Sequence, residues 1–476
     1  MTLHRSPRAV GAAVAQESLP VVVYSAFVGL LAVLVPQLLS SDGWLALVGG
    51  RLIAHHGIPR HDTLAALTSG RDWIDQQWLG QLTAYGLDAV GGVRLLLTVN
   101  VLLVAGAFVA AGVYSRRHGA RPGTLSLVLL AVLLPFLVTA MNVRTQSFVY
   151  LPFVLLIWLL TRDRVMSTRV VALVLAVLVL WANVHGSALL AAGIVALRGA
   201  VDLYASRRSR TAWVLLLAPW ACLLVSPYHV HLVAYYHRTA FNSSFATYLS
   251  QWAPTTFSPI SASLLLLAFG TVWMLGRSAS SYTAYERCLL AAGVVLALLA
   301  VRNWAFASLL LVMLAPQGFD RALRKRESRP APLMGAAVAA VAAVAAVAAV
   351  IGSLGSSEAN LTRNYPAAAA TAAAAAAAGP GKQVYAGVTY GDWLLWTHPE
   401  LAGKLVFDVR YELLHDSEVK RLVLFDSGSQ TNAPLGRPAA YILDPDVEKD
   451  ALKGLRPDVR TVYNTDHAVV AVANGQ

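Results

Sequence analysis

Apolar runs about 20 residues long, separated by short polar loops, organise most of this chain. They occur near 19–40, 93–115, 123–141, 147–161, 169–184, 186–204, 211–226, 259–276, 286–301, 303–318 and 332–353. A hydrocarbon core about 30 Å thick takes about 20 residues of helix, so the pattern predicts eleven membrane spans. The last contains the low-complexity run AAVAAVAAVAAVAAV over 336–350. Two long polar interruptions stand out, 41–92 and 228–259.

Beyond residue 353 the pattern changes. Residues 354–364 read as a linker, and Asn364-Tyr365-Pro366 supplies a cap residue and an early Pro for an Ala-rich helix that Gly379-Pro380-Gly381 stops. The short runs QVYAGV, KLVFDV, RLVLF, AAYILD, TVYN and HAVVAVAN then read as strands, alternating with helical stretches at 411–421 and 446–456. The expected fold is a polytopic α-helical membrane domain over 1–353, with interfacial helices in its first loop (41–92). A small C-terminal α/β domain over 365–476 follows the linker.

Composition agrees: of 476 residues, 57% are hydrophobic and only 13% charged, where a soluble domain carries about a quarter. The net charge of +12 lies in short basic clusters between apolar runs, which points to membrane topology rather than nucleic-acid binding. With the N-terminus in the cytoplasm, 18 Arg and Lys fall on the cytoplasmic side, from Arg5 and Arg8 to the cluster Arg321–Arg329, against seven opposite, including Arg51, Arg144 and Arg302. That asymmetry predicts a multi-pass protein with the C-terminal domain outside the cytoplasm, and the GC-rich bacterial look of the sequence points to a bacterial inner membrane. The first apolar run is longer than a signal-peptide core, and no small-residue cleavage site follows it, so it reads as an uncleaved span. Cys222 and Cys288 lie in apolar segments and imply neither a disulfide framework nor a zinc site.

This topology puts the unusual polar corners on one face. Asp42 follows the first span, Asn142-Val143-Arg144 the third, Asn183-Val184-His185 the fifth, Ser226-Pro227-Tyr228-His229 the seventh and Arg302-Asn303 the ninth. Ionisable groups at membrane depth are costly and face a cavity or a partner, so the five corners predict a shared polar chamber. The loop 228–259 reads as an interfacial aromatic belt or a wall of that chamber; its His residues lack metal-site spacing. The sequons at Asn242 and Asn360 are weak three-residue matches.

In SSDGWLALVGGRLI, Asp42 precedes Trp44, and Leu45, Val48, Leu52 and Ile53 recur at helical spacing. The stretch reads as an interfacial helix with Trp44 at headgroup level. Asp42 is then either a helix cap or a catalytic acid. Arg144, His185 and Arg302 are the positive or potentially positive groups at the rim of that chamber, with a snorkelling Arg, a helix-terminus contact or a packed His as the plain alternatives. No GxGxxG, P-loop, GxSxG or HExxH is present.

The stretch DGWLALVGGRLIAHHGIPRHDTLAALTSGRDWIDQQWL resembles the first outer loop of bacterial membrane proteins of the GT-C glycosyltransferase superfamily. The likeness continues at Arg144-Thr145-Gln146, Trp181–Gly186, Ser226-Pro227-Tyr228 and Arg302-Asn303, and in the tail at Tyr390–Trp393 and Phe407–Arg410. The resemblance implies sugar transfer from a polyprenyl-phosphate donor to an extracytoplasmic glycan, lipid or protein, as hexosyl or pentosyl transfer. Its general base would be an acid of the first outer loop: Asp42 matches best, with Asp75 and Asp62 at secondary positions. Arg144, Arg302 and His185 would hold the donor phosphate, and Trp44, Trp78, Tyr228 and Asn183 the sugar and prenyl chain.

Two positions depart from that pattern, Ala46 in place of a His and Gln77 in place of a Glu, and Ser41 replaces the first of a paired acid. With so few carboxylates no divalent metal or other cofactor is called for. The departures keep a second reading open, a binding or assembly protein that retains the fold without the chemistry. A transporter or flippase ranks last, because mid-span positions are nearly all Leu, Val and Ala rather than charged or broken by Gly and Pro.

Overall fold

The computed structural model describes residues 17–163, 165–205, 209–240, 242–323, 333–429 and 438–473. Of the basic residues in the topology count, Arg5, Arg8, Arg164, Arg207, Arg208, Arg324, Lys325, Arg326 and Arg329 lie outside these.

The helices are α1 (Ser18–Leu34), α2 (Ser41–His56), α3 (Trp78–Arg117), α4 (Pro122–Ala140), α5 (Tyr150–Arg162), α6 (Thr168–Val184), α7 (Ala188–Ala205) and α8 (Arg210–Leu223). There follow a short surface helix α9 (His231–Ala240), then α10 (Ala262–Ser278), α11 (Ala284–Leu299), α12 (Trp304–Ala322) and α13 (Leu333–Leu354). Each of the eleven apolar windows holds a helix, but by length and composition seven among the described residues suffice to cross a membrane. Thr168–Val184 and Arg210–Leu223 are apolar but shorter.

The exposed faces identify the solvent of this domain. On α4, Leu127, Leu130, Leu134 and Val138 recur at helical spacing and are all exposed, while α12 is buried nearly throughout. A helix apolar all round is either in a core or facing lipid. Helix α13 packs beside α1, where Ser353 Oγ donates to the Ala32 carbonyl at 2.6 Å.

Two sequence expectations fail in the first loop. Helix α2 is no surface helix: Gly43 to Gly50 are all buried, and Trp44 is 2% exposed, edge-on to Tyr365 at 5.2 Å rather than at the headgroups. The cause is the Gly49-Gly50 pair. A Cβ on Gly50 would lie 2.3 Å from the Gln81 carbonyl oxygen, so α2 and α3 approach closely only without side chains there. Nor is the loop open as far as residue 92, since α3 begins at Trp78 and breaks at Gly91 and Gly92, the latter at φ +64°.

The C-terminal domain contains α14 (Ala367–Ala376), α15 (Gly391–Thr397) and α16 (Asp416–Asp426) against strands β1 (Val384–Ala386), β2 (Ala440–Leu443), β3 (Val459–Asn464) and β4 (Val469–Ala473). The sheet order is β1-β2-β4-β3, with β1 parallel to β2 and the other pairs antiparallel. Two predicted strands are absent. RLVLF continues α16, because Val419, Leu422 and Phe425 at three-residue spacing bury one helical face and His415 with Glu418 forms a capping box. KLVFDV stays extended without a named strand, its Leu405 bridging Val384 on one side and Ala65 of the first loop on the other.

Three arginines fasten the first loop and α2 to this domain. Arg51 donates to the Leu395 and Trp396 carbonyls at 2.5 and 2.8 Å, at the end of α15. Arg71 holds Glu418 through two bonds of 2.8 and 2.7 Å. Arg410 lies buried between Asp62 and Asp408, with its guanidinium 4.2 Å from the Trp73 ring centroid.

Candidate active site

The end of α1 and the corner after α4 are joined by backbone. Val143 N donates to the Leu38 carbonyl at 2.7 Å, and Asn100 Nδ2 pins the Met141 carbonyl at 2.7 Å. The extended Arg144 therefore meets the first turn of α2, where its Nη2 lies 3.7 Å from Asp42 Oδ2. Asp42 is not the cap of α2: that position is Ser40, and no side chain caps the helix. Its carboxylate keeps 38% exposure.

Arg302 lies in the turn between α11 and α12, within electrostatic reach of Asp42 and Arg144. Residues 251–255 run along the end of α11, with Arg302 N donating to the Gln251 carbonyl at 2.9 Å and Val301 N to the Ala253 carbonyl at 3.2 Å. Trp252 is thereby laid under the guanidinium at 3.6 Å, close enough for a strong cation–π contact. Burial lowers the Arg302 pKa to about 10; Asp42 and Arg144 also act on it, in opposite directions, so the three belong to one electrostatic unit. Arg302 remains a cation at neutral pH, and among the described residues no carboxylate forms an ion pair with it.

His185 belongs to the unit as a neutral group. Its Nδ1 accepts from Ser187 N at 3.1 Å and meets Ser187 Oγ at 2.8 Å, which leaves the proton on Nε2. Burial, then the charges of Arg302 and Arg144, push its pKa down to about 3. Of the two readings the sequence left open for His185, the neutral, hydrogen-bonded packing residue matches these contacts, and it offers one N–H.

The other predicted site residues are engaged in the fold. Asp62, 1% exposed, accepts from Leu64 N at 2.9 Å, Thr68 Oγ1 at 2.5 Å and Arg410 at 2.6 Å. Trp78 Nε1 donates to Asn183 Oδ1 at 2.8 Å, while Asn183 Nδ2 donates to the Val179 and Val225 carbonyls. Tyr228 is buried and donates to the Pro59 carbonyl at 2.8 Å. These contacts engage the donor groups of Trp78, Asn183 and Tyr228 within the fold. Gln77, one of the departures from the family pattern, accepts from Thr145 Oγ1 at 2.6 Å beside Arg144.

Asp75 differs from these. It is buried, Oδ1 accepts from Gln81 at 3.0 Å, and Oδ2 has no partner. Burial raises its pKa to about 7, opposed by Arg410 and reinforced by Glu412. Arg144 Nε, Asp392 Oδ1 and Arg410 Nη1 are likewise buried without partners. Such orphans are rare in folded proteins and mark places where water, an ion or a ligand completes the set.

Sequence reasoning passed over Glu412 and Tyr235. Glu412 lies in the turn Tyr411–Leu413 of the C-terminal domain and lines a water-sized cavity of about 20 Å³ with Asp72, Ile74, Tyr235, Arg238 and Leu413. Tyr235, on α9, lies within electrostatic reach of both Glu412 and Arg302. The signal for Glu412 was present in the run VFDVRYELL, but nothing in sequence tells which acid of a surface domain turns toward the membrane. Among the described residues no cluster of three His, Cys, Asp or Glu is placed to hold a metal ion.

No family model and no curated protein matches the chain. Among solved structures it is similar to ArnT from Cupriavidus metallidurans. In the apo state the identity is 13% and the TM-score 0.42, over 92% of this chain and 94% of that one. For the same protein bound to undecaprenyl phosphate the values are 15% and 0.41, over 96% and 99%.

Proposed function

We propose that the chain is a membrane glycosyltransferase of the GT-C kind that takes a sugar from a polyprenyl-phosphate donor to an extracytoplasmic acceptor. The observation that carries this reading is the approach of Arg144 to within 3.7 Å of Asp42, brought from two separate corners of the bundle, with Arg302 in electrostatic reach of both. The sequence likeness to that superfamily supports it. In this reading Arg144 and Arg302 hold the donor phosphate, and Arg suits a phosphate through its forked donors.

The step proceeds as follows. An acceptor hydroxyl gives its proton to Asp42 as its oxygen forms a bond to the anomeric carbon. The bond from that carbon to the phosphate oxygen breaks, and the lipid phosphate leaves with the electron pair. The arginines stabilise the charge that grows on it. His185 donates from Nε2. Asp62, Trp78, Tyr228 and Asn183 maintain the walls, and Trp44 packs beneath the site. Asp75, buried with a free oxygen, is a proton reservoir beside the wall rather than the attacking base.

The test is Asp42→Asn in the full-length protein, reconstituted with a polyprenyl-phosphate sugar and envelope acceptors. Transfer falls by a factor of about a hundred or more, with insertion and protease pattern unchanged; undiminished transfer refutes the assignment. The departure at Ala46 favours a second reading, a binding protein without transfer, and it predicts lipid-phosphate binding with no turnover in the native chain.

A further inference from the structure

We propose that Tyr365 is a positioning residue for Asp42, holding the carboxylate at its working distance from Arg144. The inference rests on the role of Asp42 as base given above. Tyr365 stands where the linker enters the C-terminal domain, just before α14, and is buried.

The side chains around Asp42 hold it loosely. Ser40, at the cap position of α2, makes no bond to the helix, and its Oγ is buried without a partner. The contact from Asp42 to Arg144 is 3.7 Å long, beyond hydrogen-bond range. The backbone leading into the helix therefore places the carboxylate, and two bonds on consecutive carbonyls hold that backbone. Val143 N, one residue before Arg144, donates to the Leu38 carbonyl at 2.7 Å. Tyr365 Oη donates to the Leu39 carbonyl at 2.8 Å. The first bond ties this segment to the corner that carries Arg144, and the second ties it to the C-terminal domain.

Tyr365 is itself packed between both parts of the chain. Its ring meets Trp44 edge-on at 5.2 Å, and Trp393 and Tyr390 of the C-terminal domain at 5.5 and 6.0 Å. Tyr390 Oη in turn donates to the His467 carbonyl, next to β4. Asp42 is thus bracketed, by a hydrogen bond on Leu39 before it and a ring contact on Trp44 after it, and Tyr365 makes both. A displacement of about 1 Å in a reacting group costs up to about a hundredfold in rate, which is the scale on which one lost anchor acts.

Tyr365→Phe tests this, since it keeps the ring contacts and removes the bond to Leu39. In the full-length protein, reconstituted with a polyprenyl-phosphate sugar, kcat falls by about tenfold or more. The donor KM and undecaprenyl-phosphate binding stay within about twofold of wild type. Hydrogen exchange at the Trp44 amide, which donates to the Ser40 carbonyl at 3.0 Å, quickens by about tenfold. Tyr385→Phe is the control: it loses a bond of 2.8 Å to Asp426 inside the C-terminal domain and lowers the unfolding temperature with both readouts unchanged. Wild-type kcat or wild-type Trp44 exchange in Tyr365→Phe overturns the inference. So does an equal loss in Tyr385→Phe, or a loss carried by the donor KM rather than by kcat. Should the native chain transfer nothing, or Asp42→Asn keep full transfer, the base reading itself fails, a result that exchange at Trp44 does not depend on.

Discussion

Replacing Arg410 by Met tests how the two parts of the chain are held together. The guanidinium is 1% exposed and is bonded to Asp62 at 2.6 Å and to both Asp408 oxygens, with Nε at 3.0 Å from each. Met fills much of the space over Trp73 but leaves two buried carboxylates without a cation. Losing one partner of a buried ion pair costs about 3–5 kcal/mol, because the abandoned charge has no solvent. At about 1.4 kcal/mol per factor of ten, even the lower figure raises the opened population about a hundredfold.

Opening exposes the seam where Ala66 N and Leu67 N donate to the Leu405 and Val406 carbonyls at 2.7 and 3.1 Å. Hydrogen exchange at those amides reads the effect directly, since exchange from an opened state follows its population. The variant also carries a pH signature. Uncompensated buried carboxylates have a folded-state pKa above the unfolded one. Their protonated form supports the fold at low pH, and that support is lost as pH rises through the folded pKa. The exchange defect of Arg410→Met is therefore large at about pH 8 and shrinks toward about pH 5. Adding Asp62→Asn and Asp408→Asn removes both stranded charges and restores much of the protection. Wild-type exchange in Arg410→Met at the higher pH would refute the argument that this triad fastens the domain.

Arg302→Gln should abolish undecaprenyl-phosphate binding, while Arg302→Lys keeps part of it, losing about tenfold because ammonium lacks the fork and stacks poorly on Trp252; a titration in nanodiscs decides. Asp75, whose pKa burial raises to about 7, makes the folded state less stable as pH rises from about 4 to 7. Asp75→Asn keeps the bond from Gln81 and flattens that slope in thermal unfolding, and an unchanged slope would contradict the assignment. Gly50→Ala places a Cβ 2.3 Å from the Gln81 carbonyl oxygen and 2.5 Å from Tyr85 Cβ. The helices must part, at about 1–3 kcal/mol, visible as a lower unfolding temperature.

The helical windows were legible because apolar length is a property of composition, and each holds a helix where the periodicity predicted one. The approach of the corners bearing Asp42 and Arg144 was legible too, since a charge at the end of an apolar run is unusual wherever it occurs. What failed depended on tertiary contact. Trp44 was placed at the headgroups because Leu45, Val48, Leu52 and Ile53 recur at helical spacing as on an interfacial helix, but the close approach that Gly49 and Gly50 allow to α3 buries it. RLVLF carries β-favouring residues, yet the capping box at His415 and the three-residue spacing of Val419, Leu422 and Phe425 made it a helix. Glu412 was hidden because its place on the cavity wall is set by a domain fold and a docking contact, neither of which leaves a local pattern.

Helix α2 connects these observations. Its 16 residues span about 24 Å, with Asp42 in the first turn beside Arg144 and Arg51 near the last turn gripping the α15 carbonyls. Because Gly49 and Gly50 seat it directly on α3, the helix moves only as a unit with its neighbours. A shift of the C-terminal domain therefore reaches Asp42 along α2 through Arg51. It displaces Asp42 relative to Arg144. If Asp42 acts as the base proposed above, breaking the Arg51 contact should slow transfer while leaving undecaprenyl-phosphate binding unchanged, and transfer at the wild-type rate in Arg51→Met would refute this coupling.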